Sequence, residues 1–82
     1  MQQFPALKDN EVALMRAQFS TGHILDENIN LAINDDQPVY TIFKNLDEAI
    51  IAAQKIIEEN SSIECVIYGK ENAFIKYVSP KK

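Results

Sequence analysis

The sequence predicts a small α+β domain, and three observations carry that prediction. Asn45-Leu46-Asp47-Glu48 opens a capped helix with one apolar face, residues 39–43, 63–68 and 73–78 are short runs rich in β-branched and aromatic side chains, and polar turn signals separate them. At 82 residues, two independent cores would each be too small, so residues 1–82 read as one domain. The expected order is α-β-β-α-β-β, with a four-stranded, mostly antiparallel sheet and the main helix, about residues 46–60, packed on one face.

Residues 1–8 read as an irregular lead-in, because Pro5 discourages helix at Phe4. Asp9 or Asn10 then suits a helix cap, and Glu11 suits the positive end of the dipole. Val12, Met15 and Phe19 follow at helical spacing until Ser20-Thr21-Gly22, where Gly22 fits a left-handed exit. Residues 11–20 are therefore expected to be a short amphipathic helix. Residues 23–28 read as a connector. From Ile29 the pattern becomes alternation, with Ile29, Leu31 and Ile33 against Asn30, Ala32 and Asn34, the signature of a half-buried strand. Asp35-Asp36-Gln37-Pro38 is a polar turn, so residues 29–34 and 39–43 read as a hairpin with a four-residue loop.

The helix from Asn45 is the strongest element. Leu46, Ala49, Ile50, Ala53, Ile56 and Ile57 recur at steps of three and four. Glu58 and Glu59 close it, mildly against its dipole. Residues 63–68 form the next expected strand, residues 69–72 a turn, residues 73–78 the last strand and residues 79–82 a polar tail. The connection from residues 39–43 through the helix to residues 63–68 has the length of a crossover between parallel strands. Strict alternation places Ile63, Cys65 and Ile67 opposite Val66 and Tyr68, Phe74 and Val78 opposite Ala73, Ile75 and Tyr77, and Val39 and Phe43 opposite Tyr40 and Ile42. Both sheet faces are then largely apolar. One helix covers one face, so the other is expected to meet the 11–20 helix or a second molecule.

Composition narrows function mostly by exclusion. A single cysteine, Cys65, rules out an intramolecular disulfide and reads as a small core residue. The start, Met1-Gln2-Gln3-Phe4-Pro5, has neither the basic nor the apolar region of a secretory signal, and no run approaches a membrane span of about 18 residues. The expected location is cytoplasmic. His23 is the sole histidine and stands far from Cys65 in sequence, with no nucleophile motif around either. One Cys and one His are too few for a usual zinc set. Residues 26–37 begin like a calcium loop, with Asp26, Asn28 and Asn30 at positions one, three and five, but Leu31 and Gln37 stand where Gly and Glu are required. The adjacent acids Asp26/Glu27, Asp35/Asp36, Asp47/Glu48 and Glu58/Glu59 fit turns and helix ends rather than a catalytic pair. No enzyme, cofactor or metal is expected. The tail Ser79-Pro80-Lys81-Lys82 is one copy of an element that binds DNA by repetition, and the acidic balance argues against nucleic acid.

The net charge of −4 is unevenly placed. Residues 1–36 hold six acids against two bases, while residues 37–82 hold six of each. An acidic field of this kind attracts basic surfaces. The run 39–78 resembles short helix-on-sheet modules of small bacterial proteins, and the size and charge are similar to small immunity proteins that neutralise cognate toxins; no site residue carries over from either resemblance. The expected function is a non-enzymatic protein-binding module, an acidic inhibitor of a basic partner, with Asp26, Glu27, Asp35 and Asp36 as exposed contact residues. The alternative is a homo-oligomeric, homodimeric for example, regulatory or small-ligand-binding domain, with Tyr40, Tyr68 and Tyr77 on its apolar face.

Overall fold

The computed structural model describes residues 4–34 and 36–80. Among these the elements run β1 (Val12–Gln18), β2 (Ile24–Leu25), β3 (Tyr40–Phe43), α1 (Leu46–Glu59), β4 (Ile63–Gly69), a 3-10 turn (Lys70–Asn72) and β5 (Ala73–Val78). The class is α+β as expected. The first element is a strand instead of a helix, so the order is β-β-β-α-β-β, and the sheet has five strands instead of four.

β1 is the centre of the sheet. One edge pairs with β4, from Ala13↔Tyr68 to Gln18↔Ile63. The other edge is shared end to end by β3, over Val12–Met15, and by β2, opposite Arg16 and Ala17. Every ladder is antiparallel, so β3 and β4 run parallel on either side of β1, and α1 is the crossover that joins them. The expected helix over residues 11–20 fails for a physical reason. Ala, Leu, Met and Arg favour helix intrinsically, yet a strand covered on both faces reads as a continuous apolar run without alternation. Val12, Ala13, Leu14, Arg16 and Ala17 are all buried, and tertiary pairing on two edges overrides local propensity.

The expected strand at residues 29–34 is also absent. Only Leu31 makes a single bridge, to Leu25, and residues 26–38 form an irregular loop in place of the hairpin. Gly22 does adopt the anticipated left-handed backbone, at φ 78°, but it closes the turn from β1 to β2.

The helix matches its sequence pattern. Asn45 is the N-cap, its side-chain oxygen accepting from the Glu48 N–H at 2.9 Å. Ala49, Ala53 and Ile57 are buried against Val12, Leu14, Leu25, Ile63, Cys65 and Ile67, with Leu46, Ile50 and Ile56 packing at the margin. Two alanines at the contact let the helix lie close to the sheet.

β5 departs from strict alternation. The register shifts between Ile67 and Tyr68, so that Lys76 pairs with Ile67 while Phe74 pairs with Tyr68, leaving Ile75 as the extra residue of a bulge. Phe74 and Tyr77 consequently share one face instead of opposing each other. Ile75 fills the space beside Gly69, where an added Cβ would stand 2.9 Å from its Cδ1.

Leu14 is fully buried in the central strand, whereas Ile51 on the helix is 65% exposed. Leu14→Ala is expected to lower the unfolding free energy by about 2–5 kcal/mol, and Ile51→Ala to change it by under about 0.5 kcal/mol, in urea titrations followed by circular dichroism.

Candidate functional site

The loop 26–38 is held by a polar network that begins on β1. The Arg16 side chain is buried on the helix-covered face and leaves the core where β2 ends and β3 begins. Its Nε donates to the Asp26 carbonyl at 3.3 Å, and its Nη2 donates to the Val39 carbonyl at 3.1 Å and the Thr41 hydroxyl at 2.9 Å. The Thr41 hydroxyl in turn donates a hydrogen bond to Glu27 Oε2 at 2.7 Å. Burial lowers the Arg16 pKa, while Glu27, Cys65 and Asp26 act to raise it. One guanidinium therefore ties both ends of the loop to the central strand.

The inside of the loop is organised by Asp26 and Gln37. Asp26 Oδ1 accepts from the backbone N–H groups of Asn28 and Asn30, at 2.8 and 3.0 Å, and Oδ2 accepts from the Gln37 amide at 2.8 Å. Gln37 also donates to the Leu31 carbonyl at 2.8 Å, and its Oε1 accepts from Ile33 and Asn34 N–H groups at 2.8 and 2.7 Å. The Asp26 carboxyl is held below its ordinary pKa, first by the Gln37 hydrogen bond and then by those from Asn30 and Asn28, with the Arg16 charge adding and burial opposing. Positions one and twelve of the calcium-like pattern thus meet through an amide–carboxylate hydrogen bond. No group of three or more metal-ligating side chains is present among the described residues.

This network holds Ile29 in the left-handed region, at φ 66°. For a β-branched residue that costs about 1–2 kcal/mol. Ile29, Leu31 and Ile33 are all exposed, Ile33 at 81%. The loop therefore presents three aliphatic side chains from a braced backbone, with Glu27 and Asp36 exposed beside them in the same segment.

The four acids expected to form the contact surface separate. Glu27 and Asp36 are exposed, as anticipated, and Asp35 lies outside the described residues. Asp26 is buried and hydrogen bonded, contrary to the exposed position expected of it. Arg16, Gln37 and Thr41 were not anticipated. A lone arginine inside the apolar run 12–17, and Asp-x-Asn-x-Asn ahead of a glutamine, were the available signals.

The remaining candidate chemistry is modest. Cys65 is buried in the core, and burial pushes its thiol up to about 11, so it is protonated at neutral pH. His23 is exposed in the turn ahead of β2. An open cleft of about 580 Å³ lies at the N-terminus of α1, lined by Val12, Leu46 and Ile75 and by Lys44 and Lys70. Both lysines already have partners there, Lys44 with Glu48 at 3.5 Å and Lys70 with Asp9 at 2.8 Å. No described helix is long and apolar enough to cross a membrane. Comparison with protein-family models, curated proteins and solved structures finds no match to this chain.

Two outcomes test the network. Arg16→Met removes the guanidinium hydrogen bonds to the Asp26 and Val39 carbonyls and to the Thr41 hydroxyl and is expected to cost about 2–4 kcal/mol; Arg16→Lys recovers only part of this, because an ammonium cannot reproduce the fork. The second concerns acid. The folded Asp26 carboxyl titrates below the unfolded value of about 4, so its stabilising contribution is complete above that pH and fades as pH falls through the lower folded value. Wild-type stability should therefore drop on acidification below about pH 4, while Asp26→Asn is less stable at pH 7 and has a flatter acid limb in thermal melts.

Proposed function

We propose that this chain is a non-enzymatic cytoplasmic protein-binding module, a small acidic inhibitor of the immunity type that neutralises a basic partner, with loop 26–38 as its recognition surface. The observation that carries this reading is the exposure of Ile29, Leu31 and Ile33 on a loop whose backbone is fixed by buried hydrogen bonds. Three exposed aliphatic side chains in a segment that also exposes carboxylates form an apolar surface with polar neighbours, the kind of exposed patch that marks an interaction site. A partner with a shallow apolar groove bordered by Lys or Arg complements it.

The expected division of labour follows from the geometry. The net charge of −4, with Glu27 and Asp36 exposed in the loop, accelerates encounter with a basic surface. The aliphatic triad slows dissociation once water is excluded. Asp26, Gln37 and Arg16 make no direct contact in this account; they fix the loop beforehand, so little ordering entropy is lost on binding. The small-ligand alternative has the cleft at the start of α1 as its support, and the ion pairing of both lysines there weakens it.

The test is a tagged pull-down from cell extract at low and high salt, followed by association kinetics with the captured protein. A single stoichiometric basic partner, released by salt, is expected. Glu27→Lys/Asp36→Lys should slow association by about tenfold or more, and Ile33→Asp should mainly speed dissociation. An association rate indifferent to salt would count decisively against the proposal.

A further inference from the structure

The middle of the sheet face away from α1 is closed by the lead-in, in place of the expected helix. Strand pairing sets Tyr40, Met15 and Val66 in one row of this face, and Ala13 and Tyr68 in the next. Phe74 and Tyr77 continue the rows onto β5. The Phe4 ring stands edge-on to both Tyr40 and Tyr68, at centroid distances of 5.2 and 5.9 Å and interplanar angles of 76° and 83°. Both contacts have the T-shaped geometry that aromatic quadrupoles favour. Tyr40 on β3 and Tyr68 on β4 lie on either side of β1, so together they wall a slot one strand wide.

Apart from that ring, the lead-in is lightly attached. Residues 4–7 make no hydrogen bond to another described residue. An open hollow of about 360 Å³ lies between them and the turn 70–72. The chain then enters β1 through a turn closed on itself, with the Glu11 N–H donating to the Lys8 carbonyl, the Lys8 N–H donating to Glu11 Oε1 and Asn10 left-handed at φ 73°. Beyond this turn the one ion pair, Asp9 with Lys70, is exposed and contributes little. Phe4, Tyr40 and Tyr68 are only half-buried, and none of them belongs to the core cluster beneath the helix. Lifting residues 4–7 therefore breaks two ring contacts and leaves that core intact, a local opening far cheaper than unfolding.

We infer that the lead-in is a removable strap acting as a self-ligand: Phe4 fills a slot between Tyr40 and Tyr68 that takes the aromatic side chain of an extended, proline-containing peptide. The seated segment shows the chemistry that fits. Two tyrosine rings receive a third ring edge-on. Pro5 keeps Phe4 extended and brings no N–H that needs an acceptor, so the ring docks with little freedom left to lose. No charged residue stands in the two rows, so an ionised side chain gains nothing there. Phe74, 64% exposed, and Tyr77 border the slot and offer further apolar contact to a ligand longer than the strap. A short tether holds its own ring at an effective concentration in the millimolar range. An outside peptide binds only the open fraction, and its apparent affinity falls by that fraction. The slot lies on the opposite side of the sheet from the Arg16 network and does not depend on the partner proposed for loop 26–38.

The test is an NMR titration of the wild-type chain and of full-length Phe4→Ala with the acetylated peptide of residues 4–8, up to about 2 mM. Phe4→Ala should keep the native circular dichroism spectrum and bind the peptide about tenfold or more tightly than wild type. Overhauser contacts should join the peptide ring to Tyr40 and Tyr68. Adding Tyr68→Leu, which keeps apolar bulk but removes one ring wall, should weaken binding several-fold, and a peptide with alanine in place of phenylalanine should not bind. Equal affinity for the two chains overturns the inference, as does no binding by Phe4→Ala or binding that either control leaves unchanged. Loss of the native spectrum in Phe4→Ala overturns it too, because the lead-in is then a member of the fold and not a removable strap.

Discussion

A buried guanidinium fixes one whole side of this molecule. Arg16 sits on the central strand, and its donors reach the carbonyl of Asp26, which opens loop 26–38, that of Val39 just after the loop, and the hydroxyl of Thr41 on β3. A charge removed from water is costly unless its hydrogen bonds are made, and those bonds are worth most when their geometry is fixed. The chain meets both conditions by placing β2 and β3 end to end on one edge of β1, with Arg16 at the junction. Among the described residues no buried side-chain nitrogen or oxygen lacks a partner. The loop is thus part of the folded body, and the strained backbone at Ile29 is sustained by the bonds around it.

The loop and the sheet face away from α1 are two surfaces of different chemistry. The loop exposes Ile29, Leu31 and Ile33 in the same segment as the exposed carboxylates of Glu27 and Asp36. The sheet face away from α1 carries uncharged aromatic rows, with the Phe4 ring packed on Tyr40 and Tyr68.

Legibility of the fold from sequence tracked how local each signal was. The helix from Asn45 needed only its cap and its 3.6-residue period, and both stand in one contiguous stretch. β4 and β5 were marked by β-branched and aromatic runs with a turn between them. β1 was not legible, because a strand buried on both faces has no alternation and its residues are good helix formers. Only its pairing with β3 and β4, distant in sequence, makes it a strand. The alternation of Ile29, Leu31 and Ile33 misled for the converse reason. A period of two marks a strand when the apolar set has a core to face, and here Asp26 and Gln37 capture the backbone donors first. The acidic residues of the candidate site were visible as charges. That Asp26 turns inwards depends on Gln37 and Arg16, and composition does not reveal it.

Backbone amide exchange tests the central claim, that loop 26–38 is a braced element, most directly. The N–H groups of Asn28 and Asn30 are bonded to Asp26, and those of Ile33 and Asn34 to Gln37. At neutral pH these four should exchange far more slowly than free peptide and should lose protection together in Arg16→Met. Exchange at free-peptide rates in the wild type would contradict the account, because a loop that opens freely could neither hold Ile29 in its left-handed conformation nor present its aliphatic side chains as a preformed surface.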